Sequence, residues 1–179
     1  LAGRQVLRSI TYTDAGATSL AVVADLPTLE VLELSGTPVS AQNIEQIAAG
    51  TRLQALGLAN TGARDLSPLS VLVDIESIDL SGTPVRNVEF AADWLRLASI
   101  DLRDSGVRRL DGLELQEQLT EVDARGSDLE DVGGLADNET FRARDRLRAE
   151  DTALDGGDCT DILVIRSREG VVETDVECP

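Results

Sequence analysis

Apolar positions recur along this chain at a long, fixed spacing, with a short alternating run at the start of each period. Leu29 to Val39, LEVLELSGTPV, has apolar or rung residues at Leu29, Leu32, Leu34, Thr37 and Val39, in the frame L-x-x-L-x-L-x-x-T-x-V. The stretch returns almost intact at Ile75 to Val85 as IESIDLSGTPV. The same frame fits copies opening at Leu7, Leu53, Leu97 and Leu119, and a weaker one in which Arg144 replaces the first leucine. Copies start at 7, 29, 53, 75, 97, 119 and 144, in steps of 22, 24, 22, 22, 22 and 25 residues. Such a period marks a repeat array, in which each unit buries its apolar side only by stacking on its neighbours.

Each unit predicts one short strand, because apolar and polar residues alternate there as on a half-buried sheet. In the first copy Ile10 and Tyr12 point inward, and Ala15 and Ala17 complete the frame. A crossover of about 16 residues on the same side joins each strand to the next, so the strands must run parallel. Seven rungs spaced by about 4.8 Å give a sheet about 29 Å long. Two return segments read as short helices. Ser40 to Gly50, SAQNIEQIAAG, has Ile44, Ile47 and Ala48 at helical spacing, with Ser40 to cap its start and Gly50 to close its end. Val88 to Leu95 places Val88, Ala91, Ala92 and Leu95 on one face, with Trp94 beside that stripe as packing.

After Leu135 the pattern loosens. Asp161 to Arg166, DILVIR, and Val171 to Val176, VVETDV, are strand-like runs joined by Ser-Arg-Glu-Gly, which predicts a β-hairpin covering the last rung. Cys159 precedes its first strand and Cys178 follows its second, so an antiparallel hairpin would bring them together. A bond there would stabilise by roughly 3 kcal/mol and imply an oxidising compartment. If the thiols are reduced, the protein is cytoplasmic.

The repeat resembles the leucine-rich-repeat family, in particular the short bacterial type with a 22-residue unit found in internalins. In that type Thr or Ser commonly stands at the turn after the strand, where this chain has Thr37, Thr61, Thr83, Ser105, Ser127 and Thr152. The resemblance implies an α/β solenoid, with a curved parallel β-sheet on the concave face and short helices or irregular segments on the convex face. Residues 1–154 would form it from about seven repeats, and 155–179 would be the capping hairpin. Leu1 to Val6 are expected to cover the open N-terminal end, unless a preceding part is missing; with no Met and no signal peptide, the chain reads as processed or trimmed.

Composition agrees: hydrophobic residues make up 42% and aromatics only 2%, as suits stacked aliphatic rungs. No run approaches the roughly 18 apolar residues of a membrane span. Against 33 acidic residues stand 16 basic ones, all Arg, for a formal net charge of -17. That balance argues against nucleic acid as a partner. It is also the surface of proteins from high-salt habitats, where dense carboxylates hold water.

Candidate chemistry lies on the outward strand positions, which in this family usually bind a partner. They place Asp79, Asp101 and Asp123 in a ladder on consecutive strands, with Arg103, Arg125 and Arg148 beside it and Glu33 further toward the N-terminus. Ala55, Gly57 and Ala59 leave a shallow dip for a bulky group. The alternative is a solvated face that descends from a duplicated unit. Adjacent carboxylates could share a Ca²⁺, but no Gly-turned Asp-rich loop accompanies them. The absence of His excludes Ser-His and Cys-His nucleophile systems, and there is no phosphate-binding glycine loop. Asn138-Glu139-Thr140 is an N-x-T sequon, a glycosylation acceptor at Asn138 if the protein is exported and its host has the machinery. These features predict an exported, non-catalytic protein-binding module without a cofactor. The alternatives are a subunit that self-assembles into a surface or filamentous array, and the sensor ectodomain of a larger membrane protein.

Overall fold

A computed structural model describes residues 7–13, 16, 19–49 and 52–179. Among the described residues eight strands form one sheet: Ser9–Thr11 (β1), Val31–Glu33 (β2), Ala55–Gly57 (β3), Ser77–Asp79 (β4), Ser99–Asp101 (β5), Glu121–Asp123 (β6), Arg146–Ala149 (β7) and Val171–Thr174 (β8). They lie in sequence order, all neighbours are parallel, and β1 and β8 form the two edges. The fold is thus the solenoid that the period predicts, with one more rung than the seven copies. Eight rungs extend the sheet to about 34 Å.

Register follows the repeat frame. Ile10, Leu32, Leu56, Ile78, Ile100, Val122, Leu147 and Val172 pair across successive strands, and from Leu32 onward each is at most 8% exposed. A second inward column runs through Leu34, Leu58, Leu80, Leu102, Ala124 and Ala149. Burying one such side chain contributes about 1.5–3 kcal/mol, so the stacked columns supply most of the drive to fold. The first rung departs from expectation, since Ile10 is half-buried and Tyr12 is 45% exposed. A terminal strand has a neighbour on one side only. Ala15, Ala17, Gly50 and the proposed N-terminal cover lie outside the described residues.

Three residues past the second outward residue of each strand from β2 to β7 the backbone turns through the left-handed region, at Gly36, Asn60, Gly82, Asp104, Gly126 and Asp151. Only Gly, Asn and Asp visit that region readily, which accounts for the recurring Ser-Gly-Thr and its Asn and Asp substitutes. The Thr and Ser that follow are buried or half-buried and bonded to main chain, as where the Thr83 and Ser127 hydroxyls donate to Leu80 O and Ala124 O, both at 2.6 Å.

On the convex side, Ala41–Ala48 (a helix preceded by the four-residue α1, Ala21–Ala24, and here termed α2) has the expected N-cap. The Ser40 hydroxyl accepts from Asn43 N at 3.2 Å, while Asn43 Oδ1 accepts from Ser40 N at 2.9 Å, and Ile44 and Ile47 are buried. The fourth copy differs from prediction: only Glu89–Ala91 is helical, as a 3₁₀ turn. Its buried positions Val88, Ala91, Trp94 and Leu97 are spaced by three, whereas Ala92 and Leu95 are exposed. Three residues per turn replace 3.6, and Trp94 moves from beside the stripe into it, fully buried.

The C-terminal hairpin is not formed. Cys159–Ser167 is an α-helix, α4, which follows α3 (Gly133–Ala136), and β8 runs parallel to β7 rather than back along a hairpin partner. Residues 155–179 therefore continue the solenoid by a return helix and an eighth rung. The β-branched run DILVIR is helical because Ile162 and Ile165, one turn apart, are both buried under the last rungs, and burial outweighs a weak local preference. Cys159 and Cys178 are nonetheless joined, with Cα atoms 5.3 Å apart, tying the start of α4 to the segment after β8. Among the described residues no helix is long and apolar enough to cross a membrane.

Candidate functional site

The solvent side of the sheet is concave, and β2 to β7 together line one open groove of about 500 Å³. Strand pairing sets Asp79, Asp101 and Asp123 opposite one another on β4, β5 and β6, as the outward positions predict. Three carboxylates one strand apart would repel by about 1 kcal/mol per neighbour even in water, so their partners decide whether the ladder is stable.

Arginines answer most of that repulsion from two residues along the same strand, the next outward position. Arg103 reaches back to Asp101 at 2.6 Å, and Arg125 to Asp123 at 2.6 Å. Arg148, one strand further on, lies 2.6 Å from Glu121, 3.5 Å from Asp123 and 3.4 Å from Glu173 on β8. Asp123 is the centre of this network and only 7% exposed. Burial acts against its charge, but hydrogen bonds from the Arg125 guanidinium and backbone N–H, with the charges of Arg125 and Arg148, outweigh it, and the carboxyl titrates below the usual range. Arg103 is held protonated more firmly than usual, chiefly by its hydrogen bond to Asp101.

Toward the N-terminal half the pairing stops. Asp79 accepts from Ser81 N at 2.9 Å and from the Ser81 hydroxyl at 2.7 Å, and makes no salt bridge among the described residues. Glu33 accepts from the backbone N–H and hydroxyl of Ser35 in the same manner. The expected dip at Ala55, Gly57 and Ala59 is filled in its middle. The Glu33 carboxylate lies over Gly57, where an added Cβ would overlap it, and Ala59 is buried. A long side chain with no cross-strand neighbour to oppose it falls into the space the glycine leaves. The groove is thus graded, from hydroxyl-capped carboxylates at β2 and β4 to an interlocked Asp–Arg–Glu array at β5 to β8.

Asn138 is not a surface acceptor. It is fully buried, and its Nδ2 donates to Leu113 O at 2.8 Å and Gln116 O at 3.2 Å, so the folded chain offers no free amide for glycosylation. Trp94, Gln116 and Asn138 occupy one position of successive 22-residue units, and each donates to carbonyls of the preceding return segment: Trp94 to Leu69 O, Gln116 to Ala91 O and Ala92 O, Asn138 as above. Arg168 continues the series from beyond α4, donating to Ala136 O and Asn138 O. The sequon is one member of a ladder that joins the convex side.

Glu173 and the full reach of Arg148 are not legible when Val171 to Val176 is taken as half of a hairpin. The signal was present in the 25-residue step from Leu147 to Val172, equal to the step before the seventh copy.

The Asp123 network carries a pH dependence. A carboxylate whose folded pKa is depressed contributes stability that is present above its unfolded pKa and lost as pH falls through its folded value. Asp123→Asn is therefore expected to cost about 1.5 kcal/mol at pH 7, with the difference from wild type shrinking as pH falls below the ordinary Asp range near 4. Urea denaturation of both proteins across that range measures it.

An open, all-parallel sheet of short strands with return segments on one side is the leucine-rich-repeat solenoid, and solved structures of that class superpose on this chain. An internalin C2 from Listeria monocytogenes matches with a TM-score of 0.79 at 17% identity, over 94% of this chain and 73% of that one. A second Listeria monocytogenes internalin gives 0.63 at 15% identity, over 93% and 55% of the two chains. A leucine-rich-repeat protein of Leptospira interrogans gives 0.69 at 14% identity, over 93% and 48%. This chain spans about half the length of the latter two, and at these identities the likeness is one of fold. No protein-family model matches the sequence, and no curated protein is significantly similar to it.

Proposed function

We propose that the chain is an exported, non-catalytic module that holds a protein partner against its concave sheet. The observation that carries this reading is the preordered groove. Its charged side chains are already fixed by hydrogen bonds to neighbours on the same or adjacent strands, so little rotamer entropy remains to be lost on binding. The groove's opposite charges, arrayed along six strands, provide electrostatic complementarity for orienting a partner. Export is supported by the Cys159–Cys178 bond, which persists in oxidising compartments. The likeness to internalins agrees with a bacterial surface or secreted protein of this kind.

The test blocks the groove without breaking its network. Removing Asp101 or Asp123 would release Arg103 or Arg125, so the informative change is Ser77→Arg with Ser99→Arg, two half-exposed groove residues on adjacent strands. A partner captured from the native host's extract by wild type, then purified, is expected to bind the variant at least about tenfold more weakly, a loss of about 1.4 kcal/mol. Equal affinity for a variant with an unchanged circular dichroism spectrum would move the site off the concave sheet.

A further inference from the structure

A second groove, of about 370 Å³, opens on a flank of the solenoid and shares no lining residue with the concave one. Arg64 and Arg86 line it together with Asp65, Ser67, Pro84, Asn87 and Phe90. The two arginines stand at one position of successive repeats, each seven residues beyond the paired Gly57 and Asp79, so their backbones are roughly 5 Å apart. Both side chains are exposed. Arg108, at the next equivalent position, meets Glu130 at 3.4 Å, but neither Arg64 nor Arg86 has a salt-bridge partner among the described residues. In a chain with 33 acids to 16 bases, these two adjacent cations without a salt bridge share one groove with a single carboxylate, that of Asp65. The Asp65 carboxylate is engaged within its own loop, accepting from Ser67 N at 3.0 Å.

We propose that this groove receives two carboxylates from an acidic segment of a protein partner, one on each guanidinium. The planar fork of Arg matches a carboxylate with two parallel hydrogen bonds. Pro84 and Phe90 offer an apolar wall for the stem of a Glu, and the Asn87 amide can donate to and accept from a peptide backbone. A polyanion such as nucleic acid or a sulfated glycan fits poorly. It gains affinity from many cations along a stripe, whereas Asp65 and Glu89 flank these two.

Nuclear magnetic resonance of the ¹⁵N-labelled protein tests the site through arginine Nε–Hε signals, assigned with Arg64→Gln and Arg86→Gln. Titration with end-capped hexaglutamate is expected to shift the Arg64 and Arg86 signals saturably, more than those of the exposed Arg52, Arg142 and Arg144. The double Gln variant, unchanged by circular dichroism, is expected to bind about tenfold more weakly. Equal shifts at all five arginines, or an equal effect of hexaglutamine, would overturn the assignment. Saturation of the same two signals by sodium phosphate with equal affinity would make this a small-anion site and overturn the peptide reading. The concave Ser77 and Ser99 changes leave this groove intact, so the two proposals fail or succeed separately.

Discussion

Asn138→Asp is expected to lower the unfolding free energy at pH 7 by about 4 kcal/mol, the largest effect of any single polar substitution proposed for this chain. The change is isosteric, so no cavity forms and the loss is chemical. Nδ2 now donates to Leu113 O and Gln116 O, and carboxylate oxygens would face those carbonyls instead, leaving both unsatisfied and adding repulsion. Oδ1 keeps its acceptor role toward Thr140 N, the Thr140 hydroxyl and Phe141 N. A buried carboxyl pressed against carbonyls has its pKa raised. The deficit is then smallest below the unfolded pKa of about 4 and grows as pH rises through the folded value. Guanidinium denaturation at pH 7 and pH 4 reads both parts. A variant within 0.5 kcal/mol of wild type, on the order of an ordinary surface change, would show that the convex ladder of amides contributes little.

Reduction of the Cys159–Cys178 bond, or Cys178→Ser, is expected to cost about 3 kcal/mol, from a bond closing a loop with a sequence separation of 19. The loss should be local before it is global. Rungs of a solenoid touch only their neighbours, so an end rung can open while the centre stays closed. Hydrogen exchange is expected to lose protection in α4 and β8 and to keep it in β3 to β6. Once α4 leaves, Ile162 and Ile165 are exposed and the Glu173 end of the Arg148 network is lost. Uniform loss of protection along the whole sheet would mean that the chain unfolds as one unit, with the bond acting on all of it.

The parts of this protein legible from residue pattern are those governed by the nearest neighbours in the stack. Leu32, Leu56, Ile78, Ile100 and Val122 pair as their frame requires because a one-residue slip would turn every leucine to solvent. The same logic placed Asp79, Asp101 and Asp123 side by side, and put Thr or Ser at each turn. What pattern could not show was where side chains longer than a rung would reach. Glu33 covers Gly57, Arg148 spans three strands, and Asn138 turns inward to carbonyls of the preceding repeat.

The C-terminal segment divides the two kinds of information most clearly. Local propensity reads DILVIR as a strand, and a two-strand hairpin would also have brought the cysteines together, so the bond alone did not distinguish the alternatives. Only the assembled stack decides, because Ile162 and Ile165 find an apolar floor one helical turn wide and Val172 finds an open edge on β7. The sequence by itself determined the period, the parallel sheet, the inward columns and the acid ladder, since these depend on spacing along the chain. The tertiary structure alone determined the helical state of DILVIR, the filled dip, the closed sequon and the pairing of the arginines, since these depend on what lies across the rung from each residue.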